Sequence, residues 1–239
     1  MEEKSWIINI AGLSFDGTIC LMTILTCAII FCLVYFFGRN PKMKPGRKQN
    51  ALEYLVEFIR GIVSDNVPAK EVNDYHLLAF TFFMFILVSN LIGLVTKITI
   101  FPSDTNFWKS PTADPIVTMT LALIVVLLTN YFGIKKQGFR KFFVNSYMSP
   151  VKFLTPIKIM EDFTNVLTLG LRLYGNIYAG EVLLTLIASL GTSSKFTFLP
   201  ALPLEVIWQG FSVFIGAIQA YIFVTLTMVY LSHKIEVEE

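Results

Sequence analysis

Residues 163–190 read FTNVLTLGLRLYGNIYAGEVLLTLIASL, and this stretch decides the fold. Its only charged side chains are Arg172 and Glu181, so the run of 28 residues from 163 to 190 is apolar enough to enter a lipid bilayer. A helix of that length measures about 42 Å, whereas the hydrocarbon core is roughly 30 Å thick. The stretch therefore predicts a membrane-crossing helix with a strong tilt of roughly 45°.

Four other apolar runs accompany this stretch. Residues 18–37, 77–96 and 116–134 are runs of about twenty residues without a charge, each sufficient for one crossing. Residues 206–232 form a second long run, which the turn-forming residues 191–195 and two prolines separate from the first. We predict an all-α integral membrane protein in which residues 1–239 form a single membrane domain. It has about five membrane-crossing helices, and the last two form a long, strongly tilted hairpin.

The composition supports the same class. The chain is 54% hydrophobic and 15% charged, whereas an ordinary soluble domain has nearer a quarter of its residues charged. Cys20, Cys27 and Cys32 lie in one apolar run without a CxxC motif, which argues against a metal or redox site. His76 and His233 stand at the ends of apolar runs and are predicted to be interfacial residues. The sequence thus predicts neither a metal nor a cofactor.

Two segments outside the spans have their own patterns. Residues 51–63 place apolar side chains on one helical face and Glu53, Glu57 and Arg60 on the other, which predicts an amphipathic helix at the cytoplasmic interface. Residues 101–115 contain three prolines and a tryptophan, which predicts an irregular outer loop at the interface.

The loop charges predict the orientation, because lysine and arginine accumulate on the cytoplasmic side of a membrane. Of the 19 basic residues, seven follow the first span and six follow the third. The opposite side receives four: Lys4, Lys97, Lys109 and Lys195. The N-terminus is therefore expected outside and the C-terminus in the cytoplasm. Residues 1–18 lack the basic segment of a signal peptide, which favours a bacterial plasma membrane, although an organelle-encoded chain would look alike.

Arg172 and Glu181 are the informative charges, because a charge in the centre of a bilayer costs from about 3 to over 10 kcal/mol. A structural salt bridge would explain the presence of these charges, and so would a long side chain that extends to the membrane interface. Nine residues separate the two charges, which places them on opposite helix faces about 14 Å apart along the axis, so they do not neutralise each other. Arg172 instead shares its face with small and polar residues, which predicts close approach by another helix with an acidic group. These residues are Asn165, Thr168, Gly175, Asn176 and Ala179.

The order of charges along this helix predicts two separate ion paths. Glu161 and Asp162 stand at its inner boundary, Arg172 follows, and Glu181 lies beyond it. Carboxylates can relay an ion from either side, but no cation passes a guanidinium that stays charged. In the last run, Ser212 and Gln219 share a face with Gly216, and they either contact water or bond neighbouring helices together.

The segments LGLRLYGNIYAGE at 169–181 and IQAYIF at 218–223 closely resemble the signature of subunit a of F-type ATP synthases. This resemblance implies a stator protein beside a ring of c subunits, in which Arg172 faces the ring carboxylates. It also implies an outer path around Asn176, Glu181 and Gln219, with Ser212 and Asn90 as further candidates, and an inner path near Glu161 and Asp162. In many members of that family the position of Ser212 holds a titratable residue, so the serine is a departure.

We therefore expect ion translocation, most simply of H⁺, through two offset half-channels beside the rotating ring. The alternatives are a self-contained secondary transporter or channel, and a purely structural assembly subunit. The chain has no P-loop, so nucleotide chemistry is expected on partner subunits. The expected partners are the c ring, the b-subunit stalk, the other synthase subunits and membrane lipid, with no nucleic acid. Selection of H⁺ or Na⁺ is expected to depend on the ring.

Overall fold

The computed structural model describes residues 7–10, 13–39, 41–42, 44, 46–95, 110–148, 153, 155–193 and 195–235. The described elements are mainly helices, which leave no backbone N–H or C=O unpaired within a bilayer. They are α1 (Gly17–Gly38), α2 (Arg47–Asn66), α3 (Val72–Val95), α4 (Pro115–Gln137), α5 (Phe139–Phe143), α6 (Thr155–Ser193) and α7 (Lys195–Ile235). A 3-10 turn at Pro111–Ala113 precedes α4, and a π-helical turn at Val144–Met148 follows α5.

Five of the described helices are long and apolar enough to cross a membrane, namely α1, α3, α4, α6 and α7. This result confirms the predicted helical membrane class. A short antiparallel hairpin, β1 (Ile7–Ile10) with β2 (Leu13–Asp16), precedes α1 and was not predicted. Residues 101–109 of the predicted outer loop lie outside the described residues, and so do Lys4 and Lys97. Lys109 belongs to this part of the loop.

The last two helices are longer than the sequence predicts. α6 and α7 contain 39 and 41 residues, so each measures about 60 Å. The turn predicted at 191–195 is mostly helical, because α6 runs to Ser193 and α7 starts at Lys195. Pro200 and Pro203 lie inside α7. Proline removes a backbone hydrogen bond, but membrane helices tolerate the loss where neighbouring groups replace it.

The chain divides into two compact units. The first unit comprises Met1–Phe36, Met84–Pro115 and Leu173–Ala220, and the second comprises the remaining segments. α6 and α7 are antiparallel neighbours in each. In the first unit, Trp208 Nε1 donates to the Gly180 carbonyl at 3.3 Å. In the second unit, Lys234 Nζ donates to Asp162 Oδ2 at 3.0 Å. These contacts confirm a helical hairpin, and its tilt in a bilayer stays a prediction.

Aromatic contacts join α2, α3 and α7 in the second unit. Phe58 of α2 lies 6.0 Å from Phe83 and 6.1 Å from Tyr221, measured between ring centroids. Ile59, Ile62 and Val63 of α2 are buried. The amphipathic helix predicted at 51–63 therefore packs part of its apolar face against protein. Its position at the cytoplasmic interface stays a prediction.

Glycines allow close approach at two places. In the first unit, a Cβ on Gly93 of α3 would lie 2.8 Å from Ser110 Oγ and 3.1 Å from Ser110 Cα. In the second unit, a Cβ on Gly170 of α6 would lie 2.7 Å from Met119 Sδ. Contacts of a Cβ atom under 3.0 Å are essentially never found, so a side chain at either glycine would force its neighbour to shift. The hydrogen on Gly93 thus lets the segment before α4 pack directly on α3.

Gly93→Ala should therefore destabilise the protein by about 1–3 kcal/mol, the usual cost of excess volume in a packed site. The matched control is Gly61→Ala in α2, where an added Cβ would meet nothing within 4 Å. That change should be neutral or slightly stabilising, because alanine favours a helix over glycine. Thermal denaturation of the detergent-purified protein measures both. Equal melting temperatures for Gly93→Ala and the parent protein would contradict the packing described for Ser110.

Candidate functional site

Arg172 lies at the surface of α6. In the second unit, Thr164, Thr168 and Arg172 are exposed, and their spacing by four residues places them on one helix face. In the first unit, Gly175 and Ala179 of α6 are exposed, and a Cβ added to Gly175 would meet nothing within 4 Å. Small exposed residues let another helix approach closely. The side chain of Arg172 is thus available to a partner.

Glu181 and Asn176 lie on α6 in the first unit. Both side chains are half-buried, unlike exposed Arg172. The indole of Trp208 on α7 bonds to the carbonyl of Gly180, the residue next to Glu181. α7 therefore passes beside the part of α6 that carries this carboxylate.

A buried hydrogen-bond network connects three segments of the first unit around Asn90. Asn90 Nδ2 donates to the Gly216 carbonyl of α7 at 3.0 Å. Its Oδ1 accepts a hydrogen bond from Thr112 Oγ1 at 2.8 Å. Ser110 Oγ donates to the Ser89 carbonyl at 2.9 Å. Asn90, Ser110 and Thr112 are fully buried, so the network fixes the 3-10 turn and α7 against α3.

Three buried polar atoms of the first unit have no hydrogen-bond partner among the described residues. They are Ser89 Oγ, Ser212 Oγ and Gln219 Nε2. The Ser212 and Gln219 side chains are 6% and 5% exposed, so bulk water does not bond to them freely. Because a buried polar group without a partner is costly, ordered internal water is the natural partner for these atoms. Two of the three belong to residues that the sequence places on a single face of α7.

Asp162 is held by two donors in the second unit. Tyr147 Oη donates to Asp162 Oδ2 at 2.7 Å, and Lys234 Nζ donates to the same oxygen at 3.0 Å. The Lys234 ammonium also lies 4.7 Å from the centroid of the Tyr147 ring, a favourable cation–π distance. Asp162 is therefore a paired anion that connects α6 to the end of α7.

A cavity of about 270 Å³ opens beside this pair. Glu161, Asp162 and Asn165 of α6 line it together with Tyr230 and His233 of α7. Glu161 is exposed, whereas Asp162 is half-buried. The two carboxylates predicted for an inner path thus share one water-accessible cavity, and Glu161 is the one without a described ion pair.

The structure brings together only part of the predicted site. Asn90, Ser212 and Gln219 are in the first unit with Asn176 and Glu181, whereas Glu161 and Asp162 lie in the second. Sequence reasoning missed Thr112, Tyr147 and the pairing of Lys234. No sequence pattern connects Lys234 with Asp162, because the two residues are 72 positions apart. The described residues contain no group of three or more side chains that could hold a metal ion.

Comparison with known proteins gives consistent matches. The family model described as ATP synthase A chain matches residues 20–232. A protein of Enterococcus hirae named ATP synthase subunit a is 61% identical over 240 residues, which cover 100% of both chains. A protein of Enterococcus faecalis with that name is also 61% identical over the full length of both. One from Pediococcus pentosaceus is 49% identical over 228 residues, 95% of each chain.

The Tyr147 hydroxyl gives a test of the pairing around Asp162. Burial raises the pKa of Tyr147 above its ordinary value, and its hydrogen bond to Asp162 and the negative charge of Asp162 raise this pKa further. Asp162→Asn should lower the pKa of Tyr147, because the charge is removed while burial remains. Alkaline absorbance titration, with Tyr147→Phe to identify this phenol among the nine tyrosines, measures the shift.

The direction of the stability change follows from the same pKa. The folded pKa of Tyr147 exceeds the unfolded value of about 10, so its stabilising contribution is complete below about pH 10 and is lost as pH rises through the folded pKa. In Asp162→Asn this loss should occur at lower pH than in the parent protein. An unchanged titration curve in Asp162→Asn would show that Tyr147 does not sense this carboxylate.

Proposed function

Because the chain belongs to the ATP synthase A chain family, we propose that it moves protons across the membrane through two half-pathways that meet at Arg172. Proton translocation within an F-type ATP synthase is the function of the chain, and the route and residue roles are the proposal. The observation that carries it is the exposed guanidinium of Arg172 on a membrane-crossing helix. No observation favours a self-contained transporter.

The proposed role of Arg172 follows from charge. A carboxyl group on a partner helix remains protonated in lipid, because desolvation disfavours the charged form. Beside a permanent cation it ionises, because an opposite charge favours the carboxylate. The exposure of Arg172 and the small residues at Gly175 and Ala179 support this encounter. A rotating ring of such carboxyl groups then releases a proton at Arg172 and binds another after passing it.

The outer half-pathway is proposed along α6 and α7 of the first unit. Glu181 is its central carboxylate, with Asn176 beside it. Ser212 and Gln219 are buried and have unpaired polar atoms within the described part of the chain, which supports internal water there. Asn90 orients this region through its bond to the Gly216 carbonyl. A serine cannot exchange a proton near neutral pH, so Ser212 serves only to bind water.

The inner half-pathway is proposed through the cavity of the second unit. Glu161 at the cavity surface is available to exchange protons with water. Asp162, paired with Lys234 and Tyr147, keeps the cavity walls in place. Protons that reach or leave the ring on this side would use water in the cavity and the Glu161 carboxylate.

The placement in the cell is also part of the proposal. The bacterial relatives and five candidate spans describe a multi-pass membrane protein. The excess of lysine and arginine after the first and third spans supports an external N-terminus and a cytoplasmic C-terminus. The c ring is the proposed partner of the Arg172 face, and the b-subunit stalk is proposed to hold this chain still.

Arg172→Ala should abolish ATP synthesis and ATP-driven proton pumping, because no cation remains to ionise the ring carboxyl groups. Arg172→Lys should fail nearly as severely, because a compact ammonium can lose its proton when desolvated and lacks the planar fork of arginine. Both rates are measured in membrane vesicles. Immunoblots and the ATPase activity of the water-soluble part serve as assembly controls. Near-native synthesis in the Lys variant would falsify the barrier mechanism.

Glu181→Gln should slow proton flow severely, by about a hundredfold, because the outer path loses its central proton-exchanging group. The assembled complex and its soluble ATPase should remain intact, since glutamine has nearly the same shape. Glu57→Gln on exposed α2 is the control for loss of a charge elsewhere. Proton pumping at the parent rate in Glu181→Gln would make Glu181 structural and shift attention to Ser212, Gln219 and Asn90.

A further inference from the structure

A continuous polar face runs along α7 in the first unit. Its residues are spaced by four, three, four and three, so they fall within about 80° of the helix circumference and extend over about 21 Å. This polar face of α7 consists of Glu205, Gln209, Ser212, Gly216 and Gln219. The span predicted from the sequence starts at residue 206 and so excludes Glu205. In the structure α7 begins at Lys195, so Glu205 is well inside it.

Two helices border the polar face of α7. Trp208, at one edge of the face, donates to the Gly180 carbonyl of α6. Asn90 of α3 donates to the Gly216 carbonyl within the face. The face is therefore enclosed between α3 and α6 over part of its length. Exposure decreases along it, because Glu205 and Gln209 are half-buried whereas Ser212 and Gln219 are buried.

The enclosed part of the face needs a bonding partner. Ser212 Oγ and Gln219 Nε2 are buried without a hydrogen-bond partner among the described residues. Serine and glutamine can bond water but neither can bind or release a proton near neutral pH. Within this face, Glu205 is the only residue that can, and it lies at the less buried end.

The surroundings of Glu205 leave its charge without a described counterion. In the first unit, the described titratable side chains of α6 are those of Tyr174, Tyr178 and Glu181. The described residues that α3 and the 3-10 turn place in this unit include no titratable side chain. Among the side chains that the structure describes in the first unit, none belongs to lysine or arginine. Glu205 thus differs from Asp162, which Lys234 neutralises.

We propose that Glu205 is the outermost proton-binding residue of the outer half-pathway. Its carboxylate oxygen binds a proton from external water, and the O–H bond then breaks as water held by Ser212 and Gln219 accepts that proton. Glu181 receives it from the water, since Trp208 and Gly180 bring the two helix segments together. The proposal rests on the proposed function and on the external position of the start of α7.

The test measures the rate of ATP synthesis by the complete complex in proteoliposomes. A potassium diffusion potential drives the synthesis, and the sum of this potential and the pH difference across the membrane is held constant. The internal pH, which corresponds to the cell exterior, is varied from about 6 to about 9. Glu205→Gln should match the parent within about twofold at the acid end, where protons are abundant, and fall at least about tenfold at the alkaline end. Glu205→Asp should retain the parent profile, because it keeps a carboxylate. Glu57→Gln is the control for loss of a charge alone.

The outcomes separate the possible roles. A uniform decrease in Glu205→Gln at every pH, shared by Glu205→Asp, would mean that Glu205 is structural. Parent rates in Glu205→Gln across the range, with Glu181→Gln still defective, would overturn the role of Glu205 and leave the proposed function intact. Parent rates in Arg172→Ala and Glu181→Gln as well would overturn the proposed function itself. Rates are divided by the amount of assembled complex. If the Gln variant does not assemble, Glu205→His, which also titrates, must show a changed profile for the proposal to stand.

Discussion

Hydrocarbon offers no hydrogen bonds, and this constraint governs where each polar group of the chain lies. The long helices satisfy their own backbone groups. Many hydroxyl side chains within the spans do the same by donating to the carbonyl four residues earlier, as for Thr23, Thr26, Thr81, Thr120, Thr164, Thr185, Thr225 and Thr227. The unpaired buried atoms at Ser89, Ser212 and Gln219 therefore stand out. Where the helices have left polar atoms unbonded, water is the expected solvent of the site.

The two units treat charge differently. In the second unit, Lys136 pairs with Glu71 and Lys234 pairs with Asp162, so these carboxylates are neutralised by neighbours. In the first unit, none of the side chains that the structure describes belongs to lysine or arginine, and Glu205 has no described counterion. A carboxylate that is permanently paired is a poor proton carrier, because its cation favours the deprotonated form.

The sequence predicts the spans because they depend on a local property, namely hydropathy over about twenty residues, and it marks Arg172 as a candidate because of one charge within an apolar run. It does not predict contacts between distant segments. Asn90 and Gly216 are 126 residues apart, and Thr112 and Asn90 are 22 apart. Pro200 and Pro203 suggest a break by local rules, but α7 continues through them. A span that starts after these prolines excludes Glu205, whereas α7 includes it.

The bare surface at Gly175 has a mechanical consequence. A helix that packs by interlocking side chains resists sliding, because each side chain must leave one groove before it enters the next. In the first unit, exposed Gly175 and Ala179 of α6 instead present almost no side chain to a neighbour. A partner helix that contacts Gly175 and Ala179 can therefore shift along α6 at these two positions with little steric resistance, whereas the exposed Tyr178 and Val182 side chains limit its path.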